Sequence, residues 1–336
     1  MGDVLIAGPT RGPAAAGSAG APRVHLLAAA GPTDGQGHLA RQLSLAEALV
    51  AQGASVSLEL VRGAPTPGQA ARLAALGVRV GGPAEAEACV VDLPDPNLVR
   101  SRVAADRTAV FDDREWFGGE AGLVLQPSMP VWSGSATTAR RLAGYAFAPV
   151  SAAVRAAALR PPRGDGARVV VCFGGSDPED VTGRVAPGIA RALDGVVVVI
   201  GPSYAGTCRP GAGLEVLRNP DDLYPRLRAA SLAVIASGTM KFEVAHLGTP
   251  ALMLAVADDQ VPVGPPFTST GAARYVGDGR TLDPDVVADA AVALLSDGPA
   301  LAEMRRLGPQ AVDGLGGERV ARAVLELARP GSAADA

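Results

Sequence analysis

The feature that most constrains this chain is a strand–helix alternation that runs through one half, breaks, and starts again. Strand-like runs stand at residues 23–28, 54–61, 88–92 and 108–112, with weaker ones at 123–126 and 145–147. Between them, 38–51 carries Leu39, Leu43, Ala46 and Val50 at helical spacing, and 70–76 and 97–105 also read as helices. Pro161-Pro162 then precedes Gly164-Asp165-Gly166, a stretch that can continue neither a helix nor a central strand. Beyond it, strands at 168–173, 196–200, 214–217, 232–236 and 251–256 alternate with helices at 179–193, 221–229 and 239–247. Parallel strands need a crossover, which a helix supplies, so the fold class is α/β with two doubly wound, mostly parallel Rossmann-like sheets. The expected division is a disordered tail at 1–22, a first domain at 23–159, a hinge linker at 160–166, a second domain at 167–330 and a tail at 331–336. Helix 318–328 has Val320, Ala323, Val324 and Leu327 at helical spacing and must pack on one of the two halves.

Composition narrows the rest. A chain of 336 residues exceeds one ordinary core, and 48 % hydrophobic content excludes disorder for its bulk. Aromatic residues are only 4 %, so Val, Leu and Ala must fill the cores; Val-rich runs suit strands buried on both faces. The net charge is −4 with basic residues spread along the chain, which excludes a nucleic-acid surface. Lys241 is the only lysine. Cys89, Cys172 and Cys208 lie too far apart for metal-ligand or redox spacing, which fits a reducing cytoplasm. No apolar run approaches the ~18 residues of a membrane span. No metal or other cofactor is called for.

Three turns stand at the carboxyl ends of expected strands, where doubly wound sheets hold ligands. The first, Gly31 to His38, contains Gly35 and Gly37, with Arg41 one helical turn on. Its glycines admit close backbone approach, the helix start favours anions, and a neutral His38 facing a cleft is a general base. Arg41 shares that face and is expected to neutralise negative charge. The second, Phe173-Gly174-Gly175-Ser176-Asp177-Pro178, has the form of a diphosphate cradle. The third, Ser237-Gly238-Thr239, leads into a helix bearing Glu243, placed to accept hydrogen bonds from two ribose hydroxyls.

The order of these motifs resembles the UDP-sugar hydrolase of pseudaminic acid biosynthesis and its relatives in polysaccharide operons. The likeness is carried by Gly35-Gln36-Gly37-His38-Leu39-Ala40-Arg41, Val91-Asp92, Phe111-Asp112-Asp113, Gly174-Gly175-Ser176-Asp177-Pro178, Ile200-Gly201-Pro202-Ser203, and Ser237-Gly238-Thr239 through Glu243. It implies a GT-B fold, UDP held mainly by the second half with Gly201 and Glu243 on the nucleotide, and His38 as the catalytic residue that activates water. The second half is also similar to the lipid-linked N-acetylglucosaminyltransferase of peptidoglycan synthesis. Three departures fall on the sugar side. Leu27-Ala28-Ala29-Ala30 replaces an Arg-x-Asp element, Asp259-Gln260 replaces Asn-Gln at a sugar- and phosphate-binding position, and Tyr145-Ala146-Phe147-Ala148-Pro149 lacks the family's following arginines. An ionised Asp259 repels a diphosphate unless it is hydrogen-bonded. The leading expectation is a hydrolase releasing UDP from an amino- or deoxysugar nucleotide. The alternative is a GT-B glycosyltransferase delivering the sugar to a sugar, lipid or small-molecule acceptor, and a third class is a sugar-nucleotide binder without turnover.

Overall fold

The computed structural model describes residues 20–31, 35–82, 85–95, 103–130, 139–161 and 168–329. The first sheet has seven strands: β1 (Arg23–Ala29), β2 (Ser55–Arg62), β3 (Arg79–Val80), β4 (Ala88–Asp92), β5 (Thr108–Phe111), β6 (Leu123–Gln126) and β7 (Arg140–Ala143), in the order β3-β2-β1-β4-β5-β6-β7. The second has six: β8 (Val169–Cys172), β9 (Val196–Ile200), β10 (Leu214–Arg218), β11 (Leu232–Ala236), β12 (Ala251–Ala255) and β13 (Ala273–Asp278), in the order β10-β9-β8-β11-β12-β13. All pairings among these strands are parallel. The central strands are Val-rich and buried from end to end, as covered faces on both sides of a parallel sheet demand.

In each sheet the strand order reverses once, between β1 and β4 and between β8 and β11. Chains leaving the two strands of such a switch point diverge to opposite faces of the sheet and open a crevice there. The first crevice receives α1 (Gly37–Ala51), which follows β1, beside the end of β4. The second receives the turn after β8 and α6 (Met240–His246), which follows β11. The remaining helices are α2 (Pro67–Ala75), α3 (Ala152–Ala158), α4 (Val181–Ala192), α5 (Leu223–Ala229), α7 (Gly264–Thr268), α8 (Pro284–Leu295), α9 (Gly298–Ala311) and α10 (Gly316–Leu327). Among the described residues, no helix is long and apolar enough to cross a membrane.

Two elements lie across the division read from the sequence. Val320, Ala321, Ala323, Val324 and Leu327 of α10 are buried in one cluster with Leu26, Leu43 and Leu49, so this helix returns to the first domain. Conversely Ala148, Val150, Val154 and Ala157 pack with Val170, Ile235 and Phe242 of the second. The chain therefore passes between domains before α3 and again between α9 and α10. The expected linker at 160–166 is not the passage; its residues 162–166 lie outside the described residues. Proline and glycine content reports where regular structure stops, not which core the flanking residues join. The second passage is tight, since a Cβ on Gly316 would stand 2.2 Å from the carbonyl oxygen of Ala148.

Other local expectations change as well. Residues 145–147 form a 3-10 turn rather than a strand, after Gly144 at φ 107°; Tyr145 packs against Phe242 and Phe267 with centroids at 6.3 and 4.9 Å. Of the helix expected at 97–105, residues 97–102 lie outside the described residues, and Ala105 opens a 3-10 turn. β3, β7, β13, α3, α7, α8 and α9 carry no separate sequence assignment; α3, for instance, reads Ala-Ala-Val-Arg-Ala-Ala-Ala and has too narrow an apolar stripe to stand out.

Candidate functional site

The carboxyl ends of both sheets border one cleft of about 560 Å³, lined from the first domain by the α1 turn and the loop after β5, and from the second by the turns after β8, β9, β11 and β12. Gly35, Gly37, His38, Arg41, Gly174, Gly175, Ser176, Gly201, Gly238, Thr239, Glu243, Asp259 and Gln260 all line it. Ser237 is fully buried just beneath, its Oγ donating to the Gln260 carbonyl at 3.1 Å.

On the first-domain wall, register places Ala28 beside Asp92 across β1 and β4, which brings the α1 turn over the end of β4. His38 Nδ1 donates to Asp92 Oδ1 at 2.7 Å. Arg41 donates to the same carboxylate through Nε (2.7 Å) and Nη2 (2.6 Å), and through Nη1 to Asp113 Oδ2 (2.8 Å), with its guanidinium 4.4 Å over the Phe111 ring. Burial by itself raises the Asp92 carboxyl, but the charge and hydrogen bonds of Arg41, then those of His38, hold it below its ordinary value. The same pairings keep the Arg41 guanidinium above its ordinary value although burial opposes them. An ionised Asp92 accepting from Nδ1 selects the tautomer whose Nε2 keeps its lone pair for the cleft.

Arg41 thus has a structural role that the sequence does not announce. All three of its nitrogens bond protein carboxylates, so within the protein it holds Asp92 and Asp113 in place while still lining the cleft. Asp92 and Asp113 stand in the sequence motifs above without a role. The missing signal is the strand order, which sets Asp92 beside a histidine 54 positions away.

The second domain supplies the opposite wall. Gly174 adopts φ 93°, and a Cβ on Gly201 would lie 2.4 Å from Cα of Gly175, so the turns after β8 and β9 touch backbone to backbone. Behind the glycines, the start of α4 is already occupied. Asp177 accepts from the N–H groups of Val181 (3.0 Å) and Thr182 (2.7 Å), and Asp180 from that of Gly183 (3.0 Å). The second turn therefore offers a ligand its glycine backbone but not a free helix end, a correction to the simple cradle. The start of α1 differs: no side chain caps it and its first turn carries no acid. It opens towards the third turn, where a Cβ on Gly37 would be 3.8 Å from Thr239 Oγ1. Negative charge between the two walls meets the positive end of α1.

Glu243 lines the cleft and accepts from the Tyr224 hydroxyl at 3.1 Å. Burial pushes its carboxyl up to about 7, against the Tyr224 hydrogen bond and the charge of Arg72. The sign for stability follows: between its ordinary 4.5 and about 7 the folded chain keeps a proton that the unfolded chain has released, so this contribution falls as pH rises through that window. Glu243→Gln, which cannot ionise, should therefore gain thermal stability relative to wild type at pH 8 compared with pH 5; an unchanged difference between the two melting curves contradicts this. Lys241, only 1 % exposed, lies beneath the cleft floor with Nζ donating to the Ser237 carbonyl at 2.9 Å and 4.9 Å from the Phe242 ring centroid. Burial pushes this amine down to about 7, against the charge of Asp113. Its only sequence signal is that it is the sole lysine. Asp259 keeps its place on the cleft, while Gln260 turns its Oε1 to the N–H of Val256 at 3.2 Å.

Two parallel-sheet, Rossmann-like domains that face a cleft with their strand ends define the GT-B fold, and this chain has it. No protein-family model matches the chain. Over 185 residues it is 31 % identical to the UDP-N-acetylglucosamine–N-acetylmuramyl-(pentapeptide) pyrophosphoryl-undecaprenol N-acetylglucosamine transferase of Mycolicibacterium vanbaalenii. That match covers 49 % of this chain and 44 % of the relative, so the chain spans under half the length of the curated protein it matches. Among solved structures, MurG of Acinetobacter baumannii aligns with TM-score 0.56 and 15 % identity over 91 % of this chain and 99 % of that one. CalG4, the calicheamicin glycosyltransferase, aligns with TM-score 0.62 and 14 % identity over 91 % and 98 %. At such identities these likenesses establish the fold alone.

Proposed function

We propose that this chain is a glycosyltransferase that takes a UDP-sugar in the second domain and passes the sugar to an alcohol held on the first. The observation that carries this reading is the His38–Asp92 pair, fixed on one wall of the cleft with the nucleotide-type turns on the other. As the acceptor oxygen bonds to the anomeric carbon, its proton goes to Nε2 of His38. The bond from that carbon to the diphosphate breaks, and UDP leaves with the electron pair. Charge growing on the leaving diphosphate is stabilised at the start of α1 and by the glycine backbone of Gly174 and Gly175. The relative named above is an N-acetylglucosamine transferase and the structural neighbours include glycosyltransferases, which favours an alcohol acceptor over water.

The deciding experiment incubates the protein with a panel of UDP-sugars, with and without candidate alcohols, and measures free UDP and glycosylated product. Transfer requires UDP release that depends on acceptor and matches product. Equal release without acceptor would return the reading to the hydrolase, since the same base activates water, and absence of UDP binding would remove both. Within this proposal Glu243 accepts from the ribose hydroxyls. Glu243→Ala should then weaken UDP by about 1.5–3 kcal/mol, and should weaken the deoxy analogue that lacks the bonded hydroxyl less. Equal calorimetric losses for UDP and both deoxy analogues would take Glu243 out of that role.

A further inference from the structure

Away from the cleft, the second domain has a smaller cavity of about 300 Å³ that the reaction above leaves unused. Its polar side is made by Arg155 of α3, Arg228 of α5 and His246 of α6, and among the described residues no carboxylate lines it. Arg155 has a counter-charge outside the cavity, since its Nη1 donates to Glu318 Oε1 of α10 at 2.8 Å. Arg228 has none. Its Nη1 donates to the Leu247 carbonyl at 2.6 Å, while its Nε is buried and finds no acceptor among the described residues. Beside it, Arg305 likewise donates only to carbonyls, those of Ala230 (3.4 Å) and Ser231 (3.2 Å). Burial, and then the charge of Arg228, hold the Arg305 guanidinium below its ordinary value. Two guanidiniums thus share this corner without a carboxylate partner among the described residues. The carbonyl ends of α5 and α6 offset them only in part, because a helix end carries about half an elementary charge.

A buried donor without an acceptor and two adjoining cations without a counter-charge are both relieved by a bound anion. The other walls say what that anion is attached to. Ala158, Leu247 and Pro309 are apolar, and Leu159 stands at the rim with 89 % of its surface exposed. The volume lies at the lower end of ligand cavities, which suits a small organic ion. We infer that this cavity binds a phosphate monoester with a short apolar body, its head on Arg228 and its body against Leu159 and Pro309, at a site separate from the nucleotide cleft. A phosphate monoester fits because its two negative charges match the two guanidiniums and its oxygens match their forked N–H groups. A carboxylate supplies one charge only. The inference does not depend on the transferase reading, since none of these residues lines the cleft.

The test is calorimetry on the full chain with hexyl phosphate, hexanol and inorganic phosphate as probes, for wild type, Arg228→Met and Leu159→Glu. The hexyl phosphate titration is repeated on wild type saturated with UDP. Hexyl phosphate should bind more tightly than hexanol or inorganic phosphate, and UDP should not displace it. Arg228→Met should lose about tenfold or more for hexyl phosphate, the scale of a charge-assisted hydrogen bond. Leu159→Glu should lose about threefold through like-charge repulsion at the rim. That side chain is almost wholly exposed, so its replacement spares the fold and decides the matter if Arg228→Met does not fold. The inference is overturned if hexanol or inorganic phosphate binds as tightly as hexyl phosphate, if the folded variants bind it like wild type, or if UDP displaces it. If UDP itself does not bind, the donor reading falls while the two variants still decide this site.

Discussion

His38→Asn should lower turnover on an accepted UDP-sugar by about 10²–10⁴-fold while leaving UDP affinity nearly unchanged. The substitution keeps a side chain of similar reach that still hydrogen-bonds to Asp92, so the fold and the Arg41–Asp92 pairing persist. It removes the one group on this wall that combines a lone pair facing the cleft with a carboxylate that stabilises its protonated form. On the proposed reading the nucleotide is held by the other domain, so its ground-state binding has little reason to change. If the folded variant turns over at the wild-type rate, His38 is not the base and the assignment of chemistry to the first domain falls. A loss confined to KM would point to a binding role instead.

Arg41→Met should destabilise the protein by about 3–5 kcal/mol, the usual cost of removing one partner from a buried ion network. Three nitrogens of Arg41 bond two carboxylates, and Asp92 is 0 % exposed. Without the cation, the burial of Asp92 is opposed only by its contact with His38, so its carboxyl rises and the folded state retains a proton that the unfolded chain has lost. The deficit should accordingly be larger at pH 8 than at pH 5. Arg41→Lys should recover only part of the stability, because one ammonium cannot bond both Asp92 oxygens and Asp113 in the fork that guanidinium provides. Denaturant unfolding of the three proteins at the two pH values measures this. A midpoint shift worth under about 0.5 kcal/mol for Arg41→Met would show the network to be dispensable.

Much of the architecture is legible in the chain because it depends on local patterns. Runs such as Val169–Cys172 and Val196–Ile200 can only be strands buried on both faces, and their alternation with amphipathic segments fixes two parallel sheets. The three glycine turns and His38 are likewise visible, since strand ends before helices are where such sheets hold ligands. What stays hidden depends on residues distant in sequence. Strand order alone sets Asp92 against His38 and gives the imidazole its tautomer. That Arg41 is shared by two carboxylates from the ends of neighbouring strands is likewise invisible until the strands are ordered. A polar helix start is visible around Asp177, but which N–H groups Asp177 and Asp180 take at the start of α4 appears only in the fold. Helix α10 belongs to the first domain because that core presents a complementary apolar surface, which its own periodicity demands but cannot locate. Periodicity and turn chemistry are properties of neighbours along the chain; the partner of a charge, and the core that a helix joins, are settled only by what the folded chain places opposite it.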